Sequence, residues 1–307
     1  MNQERIELKK KRTFSDVLNA TFVFIKQEYK LFWKMIFLYA GIPVLLYSIF
    51  STVYFRNTFN QIIKIFSNPQ QAQQYGQNLS GEVILIYILS IVMYLFFYGL
   101  TYAYVVQYTN NDKKVSSIHS VWSLFTHKFG ALLGYSLLTI LMIGFGYGII
   151  FLFLGALGNP LIIGVVGFIT ILALMYVMIV FSFILIVKVN EDEPYLESVG
   201  RCFYLIKGHW WETFGLVIIA AIIGWALSLA LTIPVTSYVT AKGFLSDSKS
   251  IDMVPAIIVS VASTITTIIS TPILPLILSF QYFSLCDHKD NASLIDRIKN
   301  INNNPEE

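Results

Sequence analysis

The chain has 307 residues, of which 56% are hydrophobic, 15% aromatic and only 13% charged, with a formal net charge of +3. Soluble domains carry about 25% charged residues, so the composition argues against a soluble enzyme and for an all-α, polytopic membrane protein. The small net charge gives no basis for a nucleic-acid partner. The two cysteines, Cys202 and Cys286, lie far apart and outside any CxxC pattern, which speaks against a structural disulfide.

Residues 1–12 form a basic N-terminus ending in Lys9, Lys10, Lys11 and Arg12. No small-residue cleavage site follows the first apolar run at short range, so the first membrane helix is expected to be retained. Residues 13–33 predict an amphipathic interfacial helix. Thr13 and Asp16 form an Asp variant of the capping box, and Phe14, Leu18, Phe22 and Ile25 line one face. Trp33 closes the segment.

A membrane span needs roughly 20 mainly apolar residues. Six stretches qualify: Met35–Phe55, Val83–Tyr108, Ala131–Leu157, Leu161–Val187, Thr213–Ser237 and Val254–Leu285. Arg56–Glu82, rich in Gln and Asn, reads as a solvated connector. Residues 115–129 predict a second interfacial helix, with Ile118, Trp122, Phe125 and Phe129 on one face. Gly158-Asn159-Pro160 separates the third and fourth spans as a tight turn. Pro272 and Pro275 predict a kink or a break in the sixth.

Residues 194–207 predict a third interfacial helix. Acidic residues and Pro194 suit its start, and Gly208 suits the left-handed position after its end. Leu196, Val199, Phe203 and Ile206 fall on one face. Glu197 and Arg201 stand four apart and are expected to pair on the surface. Trp210 and Trp211 then anchor the fifth span. Phe22-Val23-Phe24-Ile25-Lys26 aligns with Phe203-Tyr204-Leu205-Ile206-Lys207. With the 115–129 segment this suggests three pseudo-repeats of one surface helix and two spans. The plainer alternative is that any interfacial helix before a span has this pattern.

Seventeen of the 21 Lys and Arg residues fall in the N-terminus, the second and fourth connections and the tail; the other four are Arg56, Lys64, Lys242 and Lys249. The positive-inside rule then places both termini in the cytoplasm. Trp33, Trp122, Trp210 and Trp211 fall at the same interface, where indole rings favour the headgroup region. The expected partner is the lipid bilayer, with anionic lipids meeting the basic N-terminus. Further membrane-protein partners are compatible with this layout.

Glu197-Ser198, Arg201, Leu205, Gly208 and Trp211 resemble the E-S…R…L…G…W segment of the glycerophosphoryl diester phosphodiesterase membrane domain family and related six-helix bacterial membrane proteins. The Phe14–Trp33 segment with Gly41-x-Pro43 is similar to the start of that family. Gln281-Tyr282-Phe283-Ser284-Leu285 and Leu294-Ile295-Asp296-Arg297-Ile298 resemble its ending. Cys202 departs from the pattern, where a Ser is expected. In the full-length namesakes catalysis belongs to a separate soluble domain. Residues 286–307 leave no room for one here, so the resemblance implies a membrane domain alone, in a bacterial cytoplasmic membrane.

His119, His127, His209 and His288 form no HExxH pairing, and there is no G-x-S-x-G elbow, so neither metal nor cofactor is expected. The six apolar stretches contain no Asp, Glu, Lys, Arg or His, which counts against an ion-coupled pump. Thr264, Thr266, Thr267, Ser270 and Thr271 are expected to bond their own backbone or pack helices. The leading expectation is a non-enzymatic membrane protein of envelope organisation or membrane partnership. The alternative is a transporter or lipid-handling protein using the proline-broken sixth span.

Reporter fusions test the topology. Fusions after Gln74 and Ser246 should report the outer side, and fusions after Lys113 and His288 the cytoplasm. An outer report at Lys113 breaks the alternation at its second step and overturns it.

Overall fold

The computed structural model describes residues 5–67, 81–111, 115, 117–156, 160–245 and 253–291. Among them the protein is all-α. The helices are α1 (Phe14–Ser67), α2 (Gly81–Asn110), α3 (Ile118–Ala156), α4 (Pro160–Phe181), α5 (Ile184–Glu191), α6 (Tyr195–Ile206), α7 (Trp210–Leu245), α8 (Met253–Ser270) and α9 (Ile273–Asp290). Six helical segments are long and apolar enough to cross a membrane: Phe14–Ile62, Ile84–Asn110, Ile118–Gly148, Ile163–Glu191, Trp210–Ala230 and Met253–Asp290. The chain is thus a multi-pass α-helical membrane protein.

Several helix ends follow from local chemistry. At the start of α1, Thr13 N donates to Asp16 Oδ2 at 3.3 Å and Asp16 N donates to Thr13 Oγ1 at 3.4 Å, the reciprocal capping expected there. Pro160 opens α4, where its missing N–H costs nothing. Gly158 and Asn159 lie outside the described residues. The sixth apolar stretch breaks at Thr271–Pro272, between α8 and α9. Pro272 cannot donate an N–H to the helical ladder.

Three expectations are corrected. Residues 13–33 and 115–129 are not separate surface helices: α1 and α3 run from those segments into their spans without a break. No Gly or Pro stands between Phe14 and Phe37 to interrupt the ladder, and Pro43 is accommodated within α1. The connector after Arg56 is helical as far as Ser67, because Arg56–Ser67 is rich in residues compatible with a helix and holds neither Gly nor Pro. The fourth stretch is broken by a turn at Ser182–Phe183. There Ser182 Oγ donates to Ile179 O at 2.7 Å, and Phe183 N reaches back three residues to Val180 O. A short-range side-chain bond of this kind competes with the α-helical ladder.

The chain divides into two compact units, Met1–Tyr29 with Gly99–Ile219 and Pro275–Glu307, and Lys30–Tyr98 with Ala220–Leu274. In the first, Phe24 of α1 meets Tyr108 of α2 at 5.0 Å and Phe280 of α9 at 5.6 Å, both edge-on. Edge-to-face pairs add to the stabilisation from burial alone. The polar tips of this aromatic core are satisfied: Tyr104 OH donates to Glu28 Oε2 at 2.6 Å and Tyr108 OH to Ile6 O at 3.1 Å. In the second unit, Val239, Ala256 and Val259 form a core with Phe55, Phe59 and Val235.

Gly99 of α2 tests the packing of the first unit. A Cβ there would stand 2.6 Å from Phe125 Cε2 and 3.1 Å from Leu132 Cδ1. Gly99→Val should therefore destabilise the protein by about 1–3 kcal/mol through overpacking. Gly134→Ala, which meets nothing within 4 Å, should be neutral or stabilising. Thermal unfolding in detergent measures both, and equal midpoints would refute the close approach.

Candidate functional site: the Arg201 ion cluster

α6 is a short helix with a defined start and stop. Ser198 N donates to Pro194 O at 2.8 Å, and the chain leaves the helix through Gly208 at φ +90°, where a Cβ would be strained. Its buried face is Ser198, Cys202, Leu205 and Ile206. The expected apolar face is thereby corrected: Leu196 is 80% exposed and Phe203 also faces outward, and only Ile206 of that set is buried. The small side chains Ser198 and Cys202 let α6 settle closely onto the protein. Leu205 and Ile206 are buried on the same face, while Leu196, Phe203 and Tyr204 stay exposed.

Arg201 is the centre of the polar structure. Its Nε donates to Glu191 Oε2 at 2.9 Å and Oε1 at 3.1 Å, and its Nη1 donates to Asp290 Oδ1 at 3.3 Å. Nη2 donates to Asp290 Oδ2. Three elements therefore converge: the last residue of α5, the middle of α6 and the last residue of α9. The expected pairing of Arg201 with Glu197 is corrected, because two carboxylates brought by the fold take the guanidinium. Glu197 instead stands beside Glu193, whose pKa is raised by their shared hydrogen bond and further by burial.

The rest of the cluster is equally occupied. Tyr282 OH donates to Glu191 Oε1, and Asn190 Nδ2 donates to Tyr282 OH at 3.0 Å. Burial pulls the Arg201 pKa down, but the bond to Asp290 and the charge of Glu191 outweigh it and hold it above its ordinary value. Burial, reinforced by Glu191, pushes the Cys202 thiol up to about 12. A neutral, buried thiol is a poor nucleophile or metal ligand. Both cysteines are free, and no metal-binding group of acids, His or Cys occurs among the described residues. Glu191, Glu193, Glu197, Arg201, Tyr204 and Asp290 border an open concavity of about 440 Å³.

The basic N-terminus lies against α9. Lys11 N donates to Asp287 Oδ2 at 3.1 Å and Arg12 N to Ser284 Oγ at 2.9 Å. The Arg12 guanidinium bonds to Leu8 O and Glu7 O and sits 5.4 Å from the centroid of the Phe280 ring. Burial lowers its pKa. Lys10 and Lys11 keep exposed side chains, while Lys9 is half-buried. Trp210 stacks on Phe214 at 5.0 Å, and Trp211 beside it is 76% exposed. Trp122 contacts Phe125 of the same unit, and Trp33 packs edge-on against Phe32 of the other.

Glu191, Asp287, Asp290 and Tyr282 carry this arrangement and were not singled out by charge or helical spacing. Their signal is a polar stripe at 281, 284 and 287 in an otherwise apolar stretch, with Tyr282 and Asp290 flanking it. Gln281 Nε2 donates to Thr213 Oγ1 at 3.2 Å, so each of the three stripe residues has a partner from another segment. No protein-family model, curated protein or solved structure matches the chain.

The cluster makes a prediction that the Glu197–Arg201 pairing does not. Arg201→Met should cost roughly 2 kcal/mol, since it leaves two partly buried carboxylates without their cation. Glu197→Gln should stay within about 0.5 kcal/mol. The exchange Glu197→Arg with Arg201→Glu should fare worse than Arg201→Met, because it places a third carboxylate between Glu191 and Asp290. Unfolding midpoints in detergent measure the series; rescue by the exchange would refute the cluster.

Proposed function

We propose that the chain is a non-enzymatic, polytopic protein of a bacterial cytoplasmic membrane, with cytoplasmic termini, that serves envelope organisation or as a partner of other membrane components. The observation that carries this reading is the commitment of Arg201 to Glu191 and Asp290. The Arg201 cluster braces three helices, while Leu196, Phe203 and Trp211 stay exposed. A braced platform with an apolar rim suits a membrane interface or a flat partner surface. Exposed Lys10 and Lys11 favour anionic lipid headgroups at the same level. The resemblance to membrane domains whose catalysis belongs to a separate domain supports the same reading. The second reading, a transporter or lipid-handling protein, is favoured by the break at Thr271–Pro272, since interrupted spans recur where substrates pass.

Two measurements on the purified full chain test the proposal. In liposomes it should hydrolyse no glycerophosphodiester above the rate of empty liposomes. Spin labels at Leu196→Cys and Phe203→Cys should be more accessible to oxygen than to a water-soluble nickel complex, with the reverse at Gly200→Cys. Hydrolysis would overturn the non-enzymatic reading, and water-like accessibility at all three positions would overturn the interfacial one.

A further inference from the structure

The second unit contains a groove of about 270 Å³ that the Arg201 cluster does not involve. One wall comes from α1, where Tyr47, Ser51, Tyr54, Thr58 and Ile62 recur at helical spacing, and the other from α8, with Val259, Ser260, Ser263 and Thr267. Phe55 and Phe59 pack its base against the Val239–Val259 core. No Asp, Glu, Lys, Arg or His lines it among the described residues.

The hydroxyl groups divide into two sets. Ser51, Ser263 and Thr267 bond the carbonyls of Ser48, Val259 and Ser263 at 2.9–3.0 Å, and so are satisfied by their own helices. Tyr47, Tyr54, Thr58 and Ser260 also line the groove, and their hydroxyls show no hydrogen bond to the described residues. A hydroxyl that lines a groove without a partner is costly where lipid replaces water. Four donors therefore face a neutral, aromatic-walled groove on helices of spanning length.

The geometry points to a binding groove for one glycerolipid of the surrounding bilayer, its acyl chain along Phe55 and Phe59 and its ester oxygens accepting from Tyr47, Tyr54, Thr58 and Ser260. Ester carbonyls are uncharged acceptors, which matches a wall of donors without cations. A free anion finds no charge partner here, and a bare hydrocarbon leaves the donors unpaired. The inference rests on the chain spanning a membrane and does not depend on whether the protein moves the lipid.

The test uses the full chain reconstituted with a phospholipid that carries a photoreactive group near its ester, followed by peptide mapping of the adducts. Adducts should concentrate on the 47–62 and 259–267 segments over the exposed Phe168 and Ile169 of α4. Tyr54→Phe and Ser260→Ala, which change little volume, should each lower groove labelling by about fivefold, the equivalent of one lost hydrogen bond. Labelling spread evenly over exposed apolar faces, or unchanged in both variants, overturns the proposal. The wild-type map decides the matter if a variant fails to fold. Carbonate extraction separates the two failures: protein released from the membrane refutes the spanning itself, and protein retained with even labelling refutes the groove.

Discussion

In a bilayer no water is at hand for a stray polar group, so one in or near a span is costly unless it finds a partner. The polar side of α9 is where this constraint organises the first unit. Gln281 takes Thr213 of α7, Ser284 and Asp287 take the backbone of Arg12 and Lys11, and Asp290 takes Arg201 of α6. Tyr282 adds Glu191 of α5. A helix read as simply apolar thus gathers the N-terminal segment, α5, α6 and α7 by a few directional bonds. The aromatic core around Phe24 fills the space between these contacts but does not select partners as they do.

The sequence made the number and approximate positions of the apolar segments legible, because twenty apolar residues in a row admit few structures. It also made the caps legible: Thr13 with Asp16, Pro160, Pro272 and Gly208 each act within a few residues, and short-range chemistry is readable without the fold. Partner choice was not legible. Glu197 was the obvious mate for Arg201 at four residues, but Glu191 and Asp290 are ten and 89 residues away. Helical periodicity reports which residues share a face, and not what the fold will bring against it. The turn at Ser182–Phe183 escaped for the opposite reason. A serine that bonds a nearby carbonyl leaves no mark as strong as Gly or Pro.

The registers of α1 and α6 bear on the suggested pseudo-repeat. If Phe22 is set against Phe203, then Val17, Thr21 and Phe24 correspond to Ser198, Cys202 and Leu205. All six are buried, while Phe22 and Phe203 are both exposed. In α3 Val121 and Phe125 are buried four apart, as Val17 and Thr21 are. Large apolar groups such as Phe22 and Phe203 left exposed are not what the hydrophobic effect selects in water. They suit a protein bathed in lipid, where bulky apolar groups cost nothing on the outside.

α1 gives the clearest measure of what the bilayer imposes and what it leaves free. It has 54 residues, about 80 Å of helix, against a hydrocarbon core of about 30 Å. Tilt cannot absorb such an excess, so α1 must extend well beyond the core at one end or both. Its first turns bear Asp16, Lys26, Glu28 and Lys30, and its last turns bear Arg56, Asn57, Asn60 and Lys64. Both ends are chemically fit for water or headgroups, and the apolar Met35–Phe55 stretch lies between them. The interfacial chemistry read from residues 13–33 therefore belongs to a helix continuous with the span rather than to a separate surface helix. Of the three amphipathic segments, α6 alone is set off at both ends, by Pro194 before it and Gly208 after it. Those two residues make the difference: where they are present the chain turns aside, and where they are missing the helix continues into the membrane.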